Sequence, residues 1–461
     1  MNKNYIRLDV IIVLLFLVGC AAHKTDGVRP DPRPLGKDIA TYHPPYKPSK
    51  DAVVSPPQLE EPSGVISLRQ ALSLALMHNP ELAAFSLEVR AGDAKALQAS
   101  LFPNPELEAE VENFGGTGER SRFDGAETKV VLRQLIEIGG KRSKRTKVAS
   151  LERDLAGWDY ESKRLDVLTE VTIAFVGLLA NQENQTLTDD LVKLSENVFN
   201  TVSARVNAGK DSPVEETKAN VALSIIRIEK ERARRDLKTA QKRLAATWGS
   251  TTPLFKKVSG ELEAISPIPP FADLVNHVSK NPDLARWSSE LDQRQAALDM
   301  AKADRLPDIT LGGGVKYHGE VGDTTFIMNL SIPLPFLDRN QGGVLEASHL
   351  LTKAQEERSA AEVSIVTDMH EAYQRLSVAF IESKTLRDDI LPGAQSAFDA
   401  ENEGYREGKF GYLDVLDAQR SLFDAKKQYI EALEEYHKAV AAIERLIAKS
   451  LNPIKNNAKQ N

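Results

Sequence analysis

Apolar positions along this chain follow two periods, one helical and one of two residues, and the same succession of periods occurs twice. Over Ser67 to Phe102 alanines and leucines fall at helical spacing until Pro103 stops them. Pro105 to Phe114 then alternates strictly, with Leu107, Ala109 and Val111 on one face and Glu106, Glu108, Glu110 and Glu112 on the other. Thr128 to Ile136 sets Val130 and Leu132 against Lys129 and Arg133. A charged stretch poor in glycine follows from Lys141 to Ala208, with Gly157 inside it and an interruption expected at Gly177. Gly209-Lys210-Asp211 breaks that stretch, and Ser212-Pro213-Val214-Glu215 restarts a helix with capping-box spacing and Pro in the first position. In the second half the counterparts are Phe271 to Leu306, a strand over Asp308 to His318, a strand over Thr324 to Leu334, a helix over Gln341 to Glu407, a turn over Gly408 to Gly411, and a helix over Tyr412 to Ser450. That last helix carries apolar residues seven apart (Leu416, Phe423, Ile430; Leu433, Val440, Ile447), the spacing of coiled-coil packing.

The repetition extends to residue identity. Asn79-Pro80-Glu81-Leu82-Ala83 recurs as Asn281-Pro282-Asp283-Leu284-Ala285, an offset of 202, and Ala208-Gly209-Lys210 is answered by Glu407-Gly408-Lys409 at an offset of 199. A constant offset near 200 indicates a tandem duplication, with one unit over 65–259 and the other over 260–450, followed by a polar tail over 451–461.

Length changes the picture next. At 1.5 Å per residue, a helix over Lys141 to Ala208 is about 100 Å long, too long for an ordinary globular domain, so the expected architecture is an elongated column. A soluble coiled-coil rod would explain the helices but not the alternating segments. Each of those is about ten residues, the length of a tilted strand that crosses an outer membrane with one face in lipid and one in a wet lumen. Four such strands cannot close a barrel, and a bilayer permits no open sheet edge, so closure requires strands from other copies, eight in a dimer or twelve in a trimer. The competing reading is a water-soluble sheet with one solvated face. The polar connections Gly115 to Gly125 and Gly319 to Asp323 are expected outside the cell.

At the start of the chain, Lys3 and Arg7 precede an apolar run from Val10 to Val18, too short to span a bilayer and fitting a secretory signal over 1–19. Leu17-Val18-Gly19-Cys20 resembles a bacterial lipobox, which makes Cys20 the expected lipidation site, and Ala21 after it points to the outer membrane. Cys20 is the chain's one cysteine, so no intrachain disulfide can form. From 20 to 64 the density of proline favours an extended tether from the lipid anchor, lying along the outside of the folded body.

Composition narrows the function. Of 461 residues 41% are hydrophobic and 27% charged, which excludes disorder and a bundle of transmembrane helices, and a net charge of −7 gives no footprint for nucleic acid. There is no nucleotide loop, nucleophile elbow or His-Glu-x-x-His site. The eight histidines are scattered without an i, i+4 pair, so neither a metal centre nor a cofactor is expected, apart from lipid on Cys20. An enzyme has no supporting constellation.

Phe102-Pro103-Asn104-Pro105-Glu106-Leu107 running into Glu110-Val111-Glu112-Asn113-Phe114-Gly115-Gly116, then Gln134-Leu135-Ile136-Glu137-Ile138-Gly139-Gly140-Lys141-Arg142, and Gly404-Tyr405 through Gly411-Tyr412-Leu413-Asp414-Val415-Leu416-Asp417-Ala418-Gln419 resemble the TolC-type outer membrane efflux factor family, and most its cobalt-zinc-cadmium (CzcC-like) branch. The resemblance spans nearly the whole mature chain. It implies a homotrimer with a twelve-stranded outer-membrane barrel and a periplasmic α-helical tunnel, docked through a periplasmic adaptor (membrane fusion protein) onto an inner-membrane RND pump. The implied function is a passive efflux duct for heavy-metal cations, with a multidrug or type I secretion duct as the alternative within the class. A periplasmic scaffold lipoprotein is the alternative outside it. The resemblance also assigns Asp414, Asp417 and Tyr405 to a periplasmic entrance ring, although Asp414 and Asp417 equally suit a first helical turn, whose dipole favours acids. Phe410 stands where the TolC type has a gating Arg, so an Arg latch is not expected at that position. Glu106, Glu108, Glu110 and Glu112 form a candidate acidic stripe in the barrel lumen, or simply the solvated face of a strand.

Overall fold

Asparagine and proline set the breaks between the helices. The structure, a computed structural model, describes residues 30–45, 59–121, 123 and 125–451. The signal peptide, Cys20 and the 452–461 tail lie outside the described residues. The first unit opens with β1 (Ser63–Ser67), α1 (Leu68–His78) and α2 (Pro80–Ser100). A single helix over Ser67 to Phe102 is therefore corrected to two. Asn79 has extended backbone, its side chain accepts from the Leu82 amide at 2.8 Å, and Pro80 in the first position has no N–H to continue a helix. Asn79 Nδ2 also donates to the Thr247 carbonyl at 2.8 Å, which clamps the start of α2 to the end of the unit's last helix.

Then come β2 (Glu106–Glu112), β3 (Glu127–Ile136), α3 (Lys141–Asn207), α4 (Pro213–Ala246) and β4 (Leu254–Ser259). The second unit has α5 (Phe271–Val275), α6 (Pro282–Ala303), β5 (Ile309–His318), β6 (Asp323–Ser331), α7 (Gln341–Thr385), α8 (Leu391–Glu407) and α9 (Tyr412–Ile447). Asn281 repeats the role of Asn79. It accepts from the Asp283 amide at 2.7 Å and donates to the Leu446 carbonyl at 3.0 Å, so Phe271 to Leu306 is also broken rather than continuous. Between α7 and α8 the helix widens into a π-turn over Leu386–Ile390, just before Pro392, whereas α3 runs for 67 residues without the interruption expected at Gly177. The expected helix over Gln341 to Glu407 is corrected accordingly.

The strands form an antiparallel sheet in the order β2-β3-β5-β6. Its register brings Leu107, Leu132, Gly313 and Met328 into one row, and Ala109, Val130, Val315 and Phe326 into the next, all on one face. That face is open, with Met328 at 87% exposure and Phe326 at 81%. Ile332 and Leu334 fall past the end of β6. At Gly314 the neighbouring strand comes so close that a Cβ would lie 2.1 Å from the Val130 carbonyl oxygen, and only glycine permits that approach. β2 and β6 leave the two edges unpaired within the chain.

Beyond the sheet, three clusters hold the column together. The largest packs Leu165, Leu168, Val171, Phe175 and Leu178 of α3 against α1, Trp248 and Leu433. By length and composition α3 could cross a membrane, but half of its apolar window is buried inside this cluster. A second cluster joins Met369 and Leu376 of α7 to Tyr436 and Ile443 of α9. The third lies at the far end of the column, around Val198, Val202, Phe398, Tyr412 and Val415.

Two features have no counterpart in the periodicity. β1 and β4 pair in parallel at the belt of the column. Residues 30–45, expected to lie along the outside of the folded body, form a strap across both units. The Arg33 amide donates to Glu161 at 2.6 Å and Arg164 donates to the Arg33 carbonyl at 3.2 Å. The Leu35 amide reaches the Ala448 carbonyl at 3.1 Å and that of Tyr42 the Leu76 carbonyl at 3.2 Å. Gly157, the first of two glycines inside the long helix, is where Pro30 seats; a Cβ there would lie 2.7 Å from Pro30 Cδ.

Candidate functional site

The residues singled out by sequence fall at opposite ends of the column, in the sheet and at the helical tip. On the polar face of the sheet, Glu106, Glu108, Glu110 and Glu112 do stand in one stripe, but the register sets cations beside them. Lys129 lies 3.0 Å from Glu108 and 2.8 Å from Glu110, and Arg133 lies 2.5 Å from Glu108. Lys316 lies 2.5 Å from Glu127 and 3.8 Å from Glu112. His318 places Nδ1 3.0 Å from Glu127 and Nε2 3.1 Å from the Thr325 hydroxyl. The acidic stripe is thus one edge of a mixed ladder. Counting Glu127 and Asp323, the face carries six carboxylates against Lys129, Arg133 and Lys316, an excess of three negative charges per copy. Such a face holds much of its charge in pairs.

At the tip the two units meet just before their glycine turns. Arg205 ends α3 and Tyr405 ends α8, 200 residues apart, and the guanidinium of Arg205 lies 4.7 Å from the Tyr405 ring centre. Arg205 grips Asp211 with two bonds, Nε at 2.7 Å and Nη2 at 3.0 Å, and donates to the Tyr405 carbonyl at 3.0 Å. The Tyr405 hydroxyl donates to the same carboxylate at 2.7 Å. Arg205 holds the Asp211 carboxyl below its ordinary pKa, and Asp211 holds Arg205 above its own. Burial, then the bond to Asp211, pushes the Tyr405 phenol up.

Tyr405 is 2% exposed, so it sits between the two tips of one copy and does not line an open entrance; its assignment to an entrance ring is corrected. Asp414 and Asp417 are both exposed in the first turns of α9. Asp414 accepts from the Gly411 amide at 2.9 Å, so it caps its helix while presenting charge to solvent. Phe410 lies over Gly404, whose missing side chain makes room for the ring, and it offers no ionic latch. The ionic contact comes instead from Arg205 in the other unit. The sequence held only a coarse signal for it: Arg205 and Tyr405 fall four and three residues before Gly209 and Gly408, near the two glycine turns but not equivalent in the duplication. Among the described residues no group of three or more His, Cys, Asp or Glu side chains is placed to hold a metal ion.

Comparison with known proteins gives this geometry its context. The family model described as "Outer membrane efflux protein" matches residues 71–250 and again 275–449, segments that start 204 residues apart. The chain is 35% identical over 389 residues to the cobalt-zinc-cadmium resistance protein CzcC of Cupriavidus metallidurans, covering 84% of this chain and 91% of that one. It is 25% identical to the nickel-cobalt-cadmium resistance protein NccC of Alcaligenes xylosoxydans, over 64% of this chain and 66% of that one. In fold it is similar to the open-state MtrE outer membrane channel of Neisseria gonorrhoeae, with a TM-score of 0.70, 17% identity and coverage of 90% of this chain and 98% of that one. With both units matched and the strand sheet, long helices and paired tips in place, the chain belongs to the outer membrane efflux protein family.

Proposed function

We propose that three copies of this chain form an efflux duct for divalent heavy-metal cations, completed by a periplasmic adaptor and an inner-membrane RND pump and anchored in the outer membrane through lipid on Cys20. The observation that carries the metal reading is the 35% identity, over most of both chains, to a cobalt-zinc-cadmium resistance protein. Physical support comes from the sheet. Its unpaired edges on β2 and β6 require strands from other copies in a bilayer, and three copies give a twelve-stranded barrel. Its polar face then forms a lumen whose excess of negative charge suits cations over anions. At the other end, Asp414 and Asp417 of three copies form an acidic ring of six carboxylates at the periplasmic entrance. At the same end of the column, the Arg205–Asp211–Tyr405 cluster holds the tips of the two units together and acts as the closing latch.

Growth of a deletion strain, with and without the gene restored, over gradients of divalent metals, drugs and detergents tests the cargo. Hypersensitivity confined to metals is expected; sensitivity to drugs with normal metal tolerance would transfer the duct to the multidrug class. For the ring, Asp414→Ala combined with Asp417→Ala is expected to lower the cation preference of single channels in planar bilayers, and unchanged selectivity would remove the ring from the mechanism.

A further inference from the structure

Lys141-Arg142-Ser143-Lys144-Arg145-Thr146-Lys147 sets five cations in the first two turns of α3, at the foot of β3, in a chain of net charge −7. The start of a helix carries the positive end of its dipole and favours acids, yet this first turn has none. Local preference is violated here, which calls for something that offsets it.

Two of the five are accounted for within the chain. Lys141 lies 2.9 Å from Asp308, and Arg145 lies 2.5 Å from Glu137 while donating to the carbonyls of Ala99 and Leu101. The other three meet no carboxylate among the described residues. Arg142 lies over the ring of Phe102 at 3.6 Å, and Phe102 itself is 70% exposed. Arg305, exposed at the foot of β5, also meets none. β3 and β5 are hydrogen-bonded neighbours and the two inner strands of the sheet, so their feet lie away from the open edges where another copy would pair. The apolar face of the sheet runs down to the pair Ile136 and Ile309, immediately before these cations. An apolar band that ends in an aromatic ring and a set of unpaired cations matches the passage from acyl chains to headgroups at a membrane surface.

We propose that the foot of β3 and β5 is a docking surface for anionic phospholipid headgroups of the leaflet facing the helices, with Arg142, Lys144 and Arg305 taking the phosphate and Phe102 lying at the boundary of the acyl chains. The proposal rests on the sheet being embedded in a bilayer, not on what the duct carries. A loss of conductance or of metal tolerance would therefore count against the duct and leave this surface untouched.

The test uses the full-length protein. Wild type, the triple variant Arg142→Gln/Lys144→Gln/Arg305→Gln and the remote control Lys218→Gln are reconstituted in nanodiscs of phosphatidylethanolamine, with and without phosphatidylglycerol. Phosphatidylglycerol is expected to raise the Tm of wild type and control, and the triple variant is expected to lose that gain. In native mass spectra of wild type extracted from a defined mixture, phosphatidylglycerol should be retained over phosphatidylethanolamine by roughly fivefold per contributing cation, falling as salt is raised. The mass spectra do not depend on the variant folding. Equal retention of the two lipids by wild type, or the same lipid response in wild type and triple variant, overturns the proposal.

Discussion

If the Arg205–Asp211–Tyr405 cluster is what keeps the tips together, its members should contribute in a fixed order. Tyr405→Phe removes one hydroxyl from a buried, charge-assisted bond of 2.7 Å and leaves Asp211 still gripped by Arg205. Such bonds contribute about 1.5 to 3 kcal/mol, and because no partner is orphaned the low end applies, a factor of about ten per copy. Asp211→Ala does more. It leaves both the Arg205 guanidinium and the Tyr405 hydroxyl without their carboxylate in a site where the Arg side chain is 18% exposed. Breaking an ion pair from one side costs about 3 to 5 kcal/mol in a buried setting; here the low end again applies, since Arg205 keeps its bond to the Tyr405 carbonyl. If three copies open together the effects multiply, so Tyr405→Phe shifts the closed-to-open ratio by about a thousandfold and Asp211→Ala by more. The assay is the open fraction of single channels in planar bilayers without adaptor, alongside the Tm of each variant. An unchanged open fraction in both variants, or a larger effect from Tyr405→Phe than from Asp211→Ala, refutes the latch.

Three further outcomes follow from the belt of the column. Gly157→Val should displace the strap, because even a Cβ would lie 2.7 Å from Pro30 Cδ; overpacking of this kind costs about 1 to 3 kcal/mol, and protease cleavage within residues 30–45 should accelerate while the helical signal in circular dichroism persists. Asn281→Ala removes both a helix cap and the donor to the Leu446 carbonyl, a loss of about 1 to 2 kcal/mol read as lowered Tm, whereas Asn281→Asp should recover the cap but not the donor. Burial holds the His437 imidazole below its ordinary value of 6.5, so the folded protein binds that proton more weakly than the unfolded chain. The stability it contributes is present above pH 6.5 and is lost as pH falls through the lowered pKa, so the Tm of His437→Gln should fall less than that of wild type on acidification from pH 7 to 5.

Periodicity made the elements legible, while register and meeting points remained hidden. Alternation in Glu106 to Glu112 assigns four glutamates to one face without reference to any other strand, because side chains on a strand alternate whatever it pairs with. It cannot say which residues of β3 lie opposite. A slip of one residue would have set Val130 and Leu132 beside those glutamates in place of Lys129 and Arg133, and the stripe would then be unpaired acid. The observed register turns it into a ladder of ion pairs with a smaller excess of charge. Duplication was legible for the same reason as alternation, being a property of one sequence read against itself, and it marks Asn79 and Asn281 before any contact is known. The two asparagines keep a common role because each clamps the last helix of its own unit. Arg205 and Tyr405 do not hold matching places: at the offset of 199 that aligns Gly209 with Gly408, Arg205 answers to Gly404 and Tyr405 to Val206, so the sequence read against itself does not pair them. The tip is therefore a contact between unlike parts of the two units, Arg205 and Asp211 coming from one and Tyr405 from the other. It is made only on folding, between side chains that the periodicity of the strands and long helices does not mark.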